Sequence, residues 1–445
     1  MTKCLFNKSL LSSSISQHAK FFYGVGLTAL LALPASQVIA GGFQLSDHSV
    51  TGLGRNHAGY GVVGDDASAV QFNPAGLTLL NKKQVQFGAV INMVSADIED
   101  NGSSLPPGRT GNSSEDGTPS AVVVPSFYYV HPVSDKLVLG LGFTAPFGTN
   151  TDYSDEFFGR FNGKKTELTA LDLNPAFGYK INDTVSIGGG ISVQKVDVTL
   201  GQAAYFGAAG EGDFEVIGDS IEVGYNLGVT FNLADDSRLG LSYRSGIKHD
   251  IEGDAQFDVP AASPAAPLAG TYDAKADFES PATAYLGYYK PLSNDYFFTA
   301  GVRWTQWSVF EEIRIKFPGV GGGALTANDA VTPIQWEDSY TYSVGLDGRI
   351  NQQWGWRTGV SFTETPVPDS TRSVRTVDSD RTAISFGGTY NMSPKLTVDL
   401  AYRYISFADG SINRATLAAG TPVGSTVASI EPNVHTVAIQ ANYKF

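Results

Sequence analysis

Thr436-Val437-Ala438-Ile439-Gln440-Ala441-Asn442-Tyr443-Lys444-Phe445 is the stretch that decides the fold. Val437, Ile439, Ala441, Tyr443 and Phe445 share one face, while Thr436, Ala438, Gln440, Asn442 and Lys444 share the other. Successive side chains of a strand point to opposite sides, so this alternation describes a sheet apolar on one face and wet on the other. The same pattern recurs upstream. Leu396, Val398, Leu400, Tyr402 and Tyr404 stand against Thr397, Asp399 and Arg403. Trp354, Trp356, Val360 and Phe362 oppose Gly355, Arg357, Gly359 and Ser361, and Val85, Phe87, Ala89, Ile91 and Met93 oppose Gln84, Gln86, Gly88 and Asn92.

Collecting such runs predicts fourteen strands, at 83–97, 121–132, 136–147, 166–181, 184–201, 218–233, 237–252, 272–290, 295–313, 334–350, 353–364, 379–391, 395–409 and 429–445. Six connections are short (132–136, 181–184, 233–237, 291–295, 350–353 and 391–395) and the other seven are long. The two kinds alternate. Short turns at one end, long loops at the other and an even strand number describe an all-β, antiparallel, transmembrane β-barrel of the outer-membrane type. A soluble sandwich or propeller does not sort its loops by side in this way.

Composition agrees. The 445 residues include 50 Gly, 26 Phe, 20 Tyr and 5 Trp, with a net charge of −14. So many aromatics exclude a disordered chain, and the acidic balance excludes a nucleic-acid partner. In a barrel, the aromatics supply interfacial girdles and the glycines ease curvature. The opening residues read as a secretory signal: Lys3, Lys8 and Lys20, an apolar run from Phe21 to Leu33, Pro34, then Val38-Ile39-Ala40. Thirteen apolar residues reach only ~20 Å of a ~30 Å hydrocarbon core, so they do not span it as a helix. Cleavage after Ala40 leaves 27 basic and 44 acidic residues, net −17, and removes the single cysteine, Cys4. The domain reading is a signal over 1–40, a plug or hatch over 41–82 and a barrel over 83–445. Residues 41–82 are Gly-rich and lack alternation, and a segment so short forms no core alone; the lumen is its economical place.

Three segments resemble the FadL-type family of outer-membrane transporters for long-chain fatty acids and other hydrophobic compounds. They are Gly42-Phe43-Gln44-Leu45 followed by Ser49 to Arg55, then Asp65-Asp66-Ala67 leading to Asn73-Pro74-Ala75. The third is Pro366-Val367-Pro368 with Arg372 and Asp378-Ser379-Asp380-Arg381. Phe445 with Tyr443 also resembles the C-terminal signal of such barrels. The resemblance implies fourteen strands around an N-terminal hatch in the outer membrane of a Gram-negative bacterium. It further implies passive uptake of a hydrophobic ligand, foremost a long-chain fatty acid, with a small neutral aromatic hydrocarbon as the alternative.

The implied route has three stages. Extracellular aromatics capture ligand, and the candidates are Phe157, Phe158, Phe161, Tyr205 and Phe206. A hatch built on Phe43, Leu45, Asn73, Pro74 and Ala75 closes the lumen pocket. Exit is lateral, at an inward kink of the third strand matching Ala145-Pro146-Phe147-Gly148. Proline cannot donate to a ladder and glycine tolerates unusual dihedrals, so broken pairing is expected there. Fatty-acid-carrying members look as if they place basic side chains near the ligand carboxylate, whereas at the matching positions this chain has Gln202 and Thr332, and its loop 202–217 is short. Both departures lean toward a smaller or neutral ligand such as a monoaromatic hydrocarbon. Arg244, Arg303, Arg357 and Arg403 lie on polar strand faces as possible lumen cations, or as members of a charged ladder in a wet lumen.

Rival signals are weak. Gly59-Tyr60-Gly61-Val62-Val63-Gly64 matches a dinucleotide fingerprint but follows no strand and opens no βαβ unit. A hydrolase needs a nucleophile beside a base; there is no G-x-S-x-G, and His48, His57, His131, His249 and His435 are scattered without metal-ligand spacing. A general porin would have no plug. The expectation is therefore a monomer that is not an enzyme, with no cofactor and no metal, whose partners are a hydrophobic small molecule and outer-membrane lipid.

Overall fold

The computed structural model describes residues 42–117, 121–318, 329–418 and 420–445; the expected signal at 1–40 lies outside them. Six unbroken strands come first: β1 Gln84–Asp100, β2 Val122–Pro132, β3 Leu137–Asp152, β4 Lys165–Lys180, β5 Val185–Tyr205 and β6 Glu211–Asn232. The next four are each interrupted. β7 joins Arg238–Arg244 to Ile247–Phe257, β8 joins Gly270–Ser280 to Thr283–Pro291, β9 joins Tyr296–Thr305 to Glu312–Lys316, and β10 joins Ala330–Pro333 to Ser339–Arg349. β11 Trp354–Thr363 and β12 Arg381–Asn391 follow, then β13 (Leu396–Phe407 and Gly410–Ala418) and β14 Thr421–Lys444.

Each strand pairs antiparallel with the next, and β14 returns to β1 in a ladder running from Gln84 opposite Lys444 to Asp100 opposite Ala428. The sheet is a closed fourteen-stranded barrel. Closure removes the free edges that lipid would leave unsatisfied. The alternation points outward as expected for that solvent: Val223 on β6 is 63% exposed, whereas Gln86 on β1 is 0% exposed. No described helix is long and apolar enough to cross a membrane.

Two of the seven connections read as long loops are corrected. β5 and β6 continue past the expected ends, with Gln202 opposite Phe214 and Tyr205 opposite Glu211, leaving only a tight turn at 206–210. In the same way β13 and β14 extend as a hairpin, from Gly410 opposite Ile430 to Ala418 opposite Thr421. Above the lipid both faces of a strand meet polar surroundings, so the ladder persists while the hydropathy alternation that announces it fades.

Residues 42–82 form short helices, α1 Val50–Leu53 and α2 Ala69–Phe72, and a 3-10 turn over Pro74–Leu79. Their partners lie on strands all round the wall. The Ala67 amide donates to Gln86 Oε1 on β1, Asn226 on β6 donates to the Val70 carbonyl, and Ser242 on β7 to the Phe72 carbonyl. On the far side Asn56 donates to the Gly359 and Ala383 carbonyls, and the Val50 amide to Gln440 Oε1. Two wall glycines permit this approach: a Cβ on Gly188 would strike the Pro74 and Ala75 backbone, and one on Gly359 the backbone of Arg55.

Candidate functional site

The polar half of the lumen is a lattice of buried ion pairs binding residues 42–82 to the wall. Arg55 donates to Asp347 at 2.9 Å and to Asp65; Arg403 donates to Asp47 at 2.7 Å. Arg357 bridges Asp347 at 3.3 Å and Asp399 at 3.2 Å, and Arg244 meets Asp172 at 2.8 Å. Arg303 differs, donating to Ser46 Oγ and, at 3.0 Å, to Thr341 Oγ1. The four possible lumen cations thus lie in this lattice, three of them neutralised by carboxylates. Burial pushes the Asp47 carboxyl up, but Arg403 and the His57 ring outweigh it and hold the group below the usual carboxylate range.

The motif residues serve local turns. Asn73 Oδ1 accepts from the Ala75 amide at 3.1 Å, capping the 3-10 turn that Pro74 opens, and its Nδ2 donates to the Val229 carbonyl at 3.3 Å. Asp66 accepts from Ser49 and Ser68, each at 2.5 Å, and from Thr51.

Phe43 and Leu45 run along β3. The Leu45 amide donates to the Pro146 carbonyl at 2.8 Å, and the Gly148 amide to the Phe43 carbonyl at 2.9 Å. These bonds use an edge that β2 leaves open: β2–β3 pairing stops at Phe127 opposite Phe143. On the other side, the β3–β4 register shifts between Thr144 and Phe147, so Ala145 and Pro146 stand out of the ladder. His48 Nε2 lies 3.0 Å from the Ala145 carbonyl.

Above Phe43 the barrel encloses a cavity of about 210 Å³. Its walls are apolar, with Leu168, Val198, Leu200, Ile251, Ile313 and Ile334 among them. Its base is aromatic: Phe43, Phe278, Phe310 and Trp336 line it, with Trp307 buried behind. Trp307 and Trp336 enter from the interruptions of β9 and β10, where the strand period breaks.

At the cavity's polar side stand Arg375, from the 364–380 loop, and Arg414, from the extended part of β13. Arg375 donates to the Lys165 carbonyl at 2.9 Å, Thr166 Oγ1 at 3.2 Å and Gln202 Oε1 at 2.8 Å. Arg414 donates to the Thr371 and Pro333 carbonyls at 3.2 and 3.3 Å. Among the described residues neither has a carboxylate within ion-pair distance, and burial pulls the Arg375 guanidinium down to about 10. Gln202 and Thr332 line the same cavity. Sequence reasoning missed both arginines. One sits in an irregular loop and the other in a segment read as loop, and no spacing brings them together.

The five capture candidates separate. Phe157 and Phe158 are buried with Tyr153, Val374, Ile98 and Ile430, closing the top of the barrel rather than facing solvent. Phe161 lines the cavity and stacks under Arg160. Tyr205 and Phe206 are half-buried at the tight turn, with the Tyr205 hydroxyl donating to the Pro107 carbonyl. No cluster of metal-ligating side chains occurs among the described residues.

A closed barrel, lipid-facing outside and holding an apolar cavity inside, is the architecture of an outer-membrane transport protein. The profile of one family, described as outer membrane protein transport protein (OMPP1/FadL/TodX), matches residues 31–445, and the chain belongs to that family. The long-chain fatty acid transport protein of Salmonella typhi is 28% identical over 414 residues, covering 87% of this chain and 92% of the relative. Outer membrane protein P1 of Haemophilus influenzae (strain ATCC 51907 / DSM 11121 / KW20 / Rd) is 27% identical over 442 residues, covering 87% of this chain and 90% of that one. A crystal structure of a Pseudomonas aeruginosa FadL homologue superposes with a TM-score of 0.81 at 23% identity, over 91% of this chain and 100% of that chain. The Pseudomonas putida toluene transporter TodX gives 0.67 at 17% identity, over 91% and 100%. The chain is an outer-membrane transporter for hydrophobic compounds and not an enzyme.

Proposed function

We propose that this chain imports long-chain fatty acids passively, the acyl chain entering the apolar cavity and the carboxylate meeting Arg375 and Arg414. The carrying observation is a largely apolar cavity beside two guanidinium groups that, among the described residues, have no carboxylate within ion-pair distance, the one lining carboxylate, Asp277, being paired with Lys316. A cation held partly out of water without a counter-charge carries a desolvation cost, and a ligand carboxylate relieves that cost through charge-assisted hydrogen bonds. The methylenes supply the rest: at ~0.8 kcal/mol each, a long chain gains on the order of 10 kcal/mol. The positive charge enters from loop 364–380 and β13, beside Gln202 and Thr332. The relatives named as long-chain fatty acid transport proteins support this reading.

In this reading residues 42–82 are the hatch, Phe43 and Leu45 its moving wall, and the displaced Ala145–Gly148 stretch the sideways exit. Phe161 at the cavity receives ligand gathered by the loops. Small neutral aromatic hydrocarbons remain a second reading, favoured by the ring-lined base. One binding comparison separates the two. Arg375→Gln with Arg414→Gln should weaken oleate binding by about ten-fold or more, the value of a lost charge-assisted bond, while oleyl alcohol and toluene are unaffected. Unchanged oleate affinity in a properly assembled variant overturns the carboxylate assignment.

A further inference from the structure

We propose that the ring-shaped slot now filled by Phe43 is an aryl subsite, so that this chain also takes carboxylic acids ending in an aromatic ring. The inference rests on the fatty-acid reading for its charged end, Arg375 and Arg414, and adds a recognition element at the other end.

Five rings surround Phe43. Their centroids lie 4.6 Å away at Trp307, 5.4 Å at Trp336, 5.5 Å at Phe310, 5.7 Å at Phe278 and 6.2 Å at Phe147. Trp307, Phe310 and Phe147 meet it edge-to-face and the other two are tilted. These are the separations and angles at which ring quadrupoles attract, so the box favours a ring over an alkyl group of equal area. The box belongs to the barrel: its members come from β3, β8 and the interruptions of β9 and β10. Its occupant comes from elsewhere, on a segment that meets β3 through two backbone hydrogen bonds. Phe43 therefore stands where a ligand ring would stand.

Two further observations point to a ligand. Trp307 Nε1 is buried without an acceptor, although Trp307 is 0% exposed. A hydroxyl or carbonyl on a ligand ring would satisfy it; the hydrocarbon ring of Phe43 carries no acceptor atom. The slot is also continuous with the cavity, since Phe43 itself lines it, and Arg375 and Arg414 lie on the cavity's polar side. A molecule with a ring at one end and a carboxylate at the other matches the ring slot and the guanidinium groups together, and a polar substituent on that ring would in addition satisfy Trp307 Nε1. An alkane acid satisfies one, and toluene the other.

The test uses purified full-length protein in detergent, titrated with ω-phenylalkanoic acids of increasing linker length and n-alkanoic acids of equal carbon number. Phe43→Ala empties the slot. It should raise affinity for the best phenyl acid about ten-fold, as expected when several edge-to-face contacts are freed for the ligand, and raise the matched alkanoate far less. An equal gain for both overturns the proposal. If Phe43→Ala does not assemble, the unmodified chain decides. Phenyl acids should strip hydrogen-exchange protection from the Gly148 amide, which is bonded to Phe43, and matched alkanoates should not; equal loss, or none, refutes the subsite. Oleate is titrated in parallel. Absent oleate binding refutes the fatty-acid reading, whereas normal oleate binding without ring preference refutes the aryl subsite alone.

Discussion

His48 shows how a single side chain reports on the docking of its segment. Burial holds its imidazole down at about 4, against the raising influence of the Ala145 carbonyl and Asp47; His57 and Arg244 oppose protonation too. The neutral ring is therefore the docked form, while a ring released to solvent takes a proton below about 6.5. Because the docked value is the lower one, its contribution is complete above about pH 6.5 and is lost as pH falls toward 4. At pH 5 this amounts to about 2 kcal/mol, a thirty-fold change in the docked-to-released ratio. Hydrogen exchange at the Leu45 and Gly148 amides, corrected for intrinsic rates, should lose protection by at least about that factor between pH 7.5 and 5, and His48→Gln should reduce the change, leaving the part contributed by the buried His57, which burial also shifts down. Identical protection at both pH values removes His48 from this role. Also at the residue scale, Arg375 and Arg414 escaped the sequence because partnership in a loop depends on which strands the loop overhangs. Arg244, Arg357 and Arg403 were legible as inward-facing cations, yet their carboxylate partners on other strands and on residues 42–82 were not.

Among the elements, β3 carries the most information per residue. Its lower half pairs on both sides; at Ala145–Pro146 it leaves both ladders, and the chain at 43–45 takes up the freed edge. Proline explains part of this, having no N–H to give, and glycine at 148 allows the strand to rejoin. Pro146→Val with Gly148→Ala restores a donor and stiffens the backbone. In the proposed function this change should cut oleate uptake several-fold in cells while heat-modifiable gel mobility shows an intact barrel. Undiminished uptake would leave the lateral exit without support. The interruptions of β9 and β10 were invisible in the sequence. The β9 run reads as one strand over 295–313 and the β10 run as one beginning at 334, whereas residues 306–311 and 334–338 leave the ladder and bring Trp307 and Trp336 against Phe43.

For the whole molecule, the buried lattice describes a barrel whose inward-facing side chains are joined to residues 42–82 by ion pairs. The Arg55–Asp347 and Arg403–Asp47 pairs tie residues 42–82 to the wall and are buried at 2–8% side-chain exposure. If residues 42–82 act as a plug, planar bilayers holding the intact chain should show no large steady conductance. Deleting 42–80 should open one, with the barrel still heat-modifiable. Large currents through the intact chain would contradict the plug.

Alternation along the chain was enough to set the barrel, its strand number and its two kinds of connection, because a closed sheet in lipid enforces period-two alternation and the turns carry their own chemistry. The sequence also marked Asn73, Pro74 and the Ala145–Gly148 stretch, whose effects are local. Tertiary structure alone decided that β5–β6 and β13–β14 rise as extended hairpins, that Phe157 and Phe158 are buried, and that Arg375 and Arg414 share a cavity with Phe43. Those facts rest on contacts between residues far apart in the chain, and periodicity reports which way a side chain points but not what it will meet.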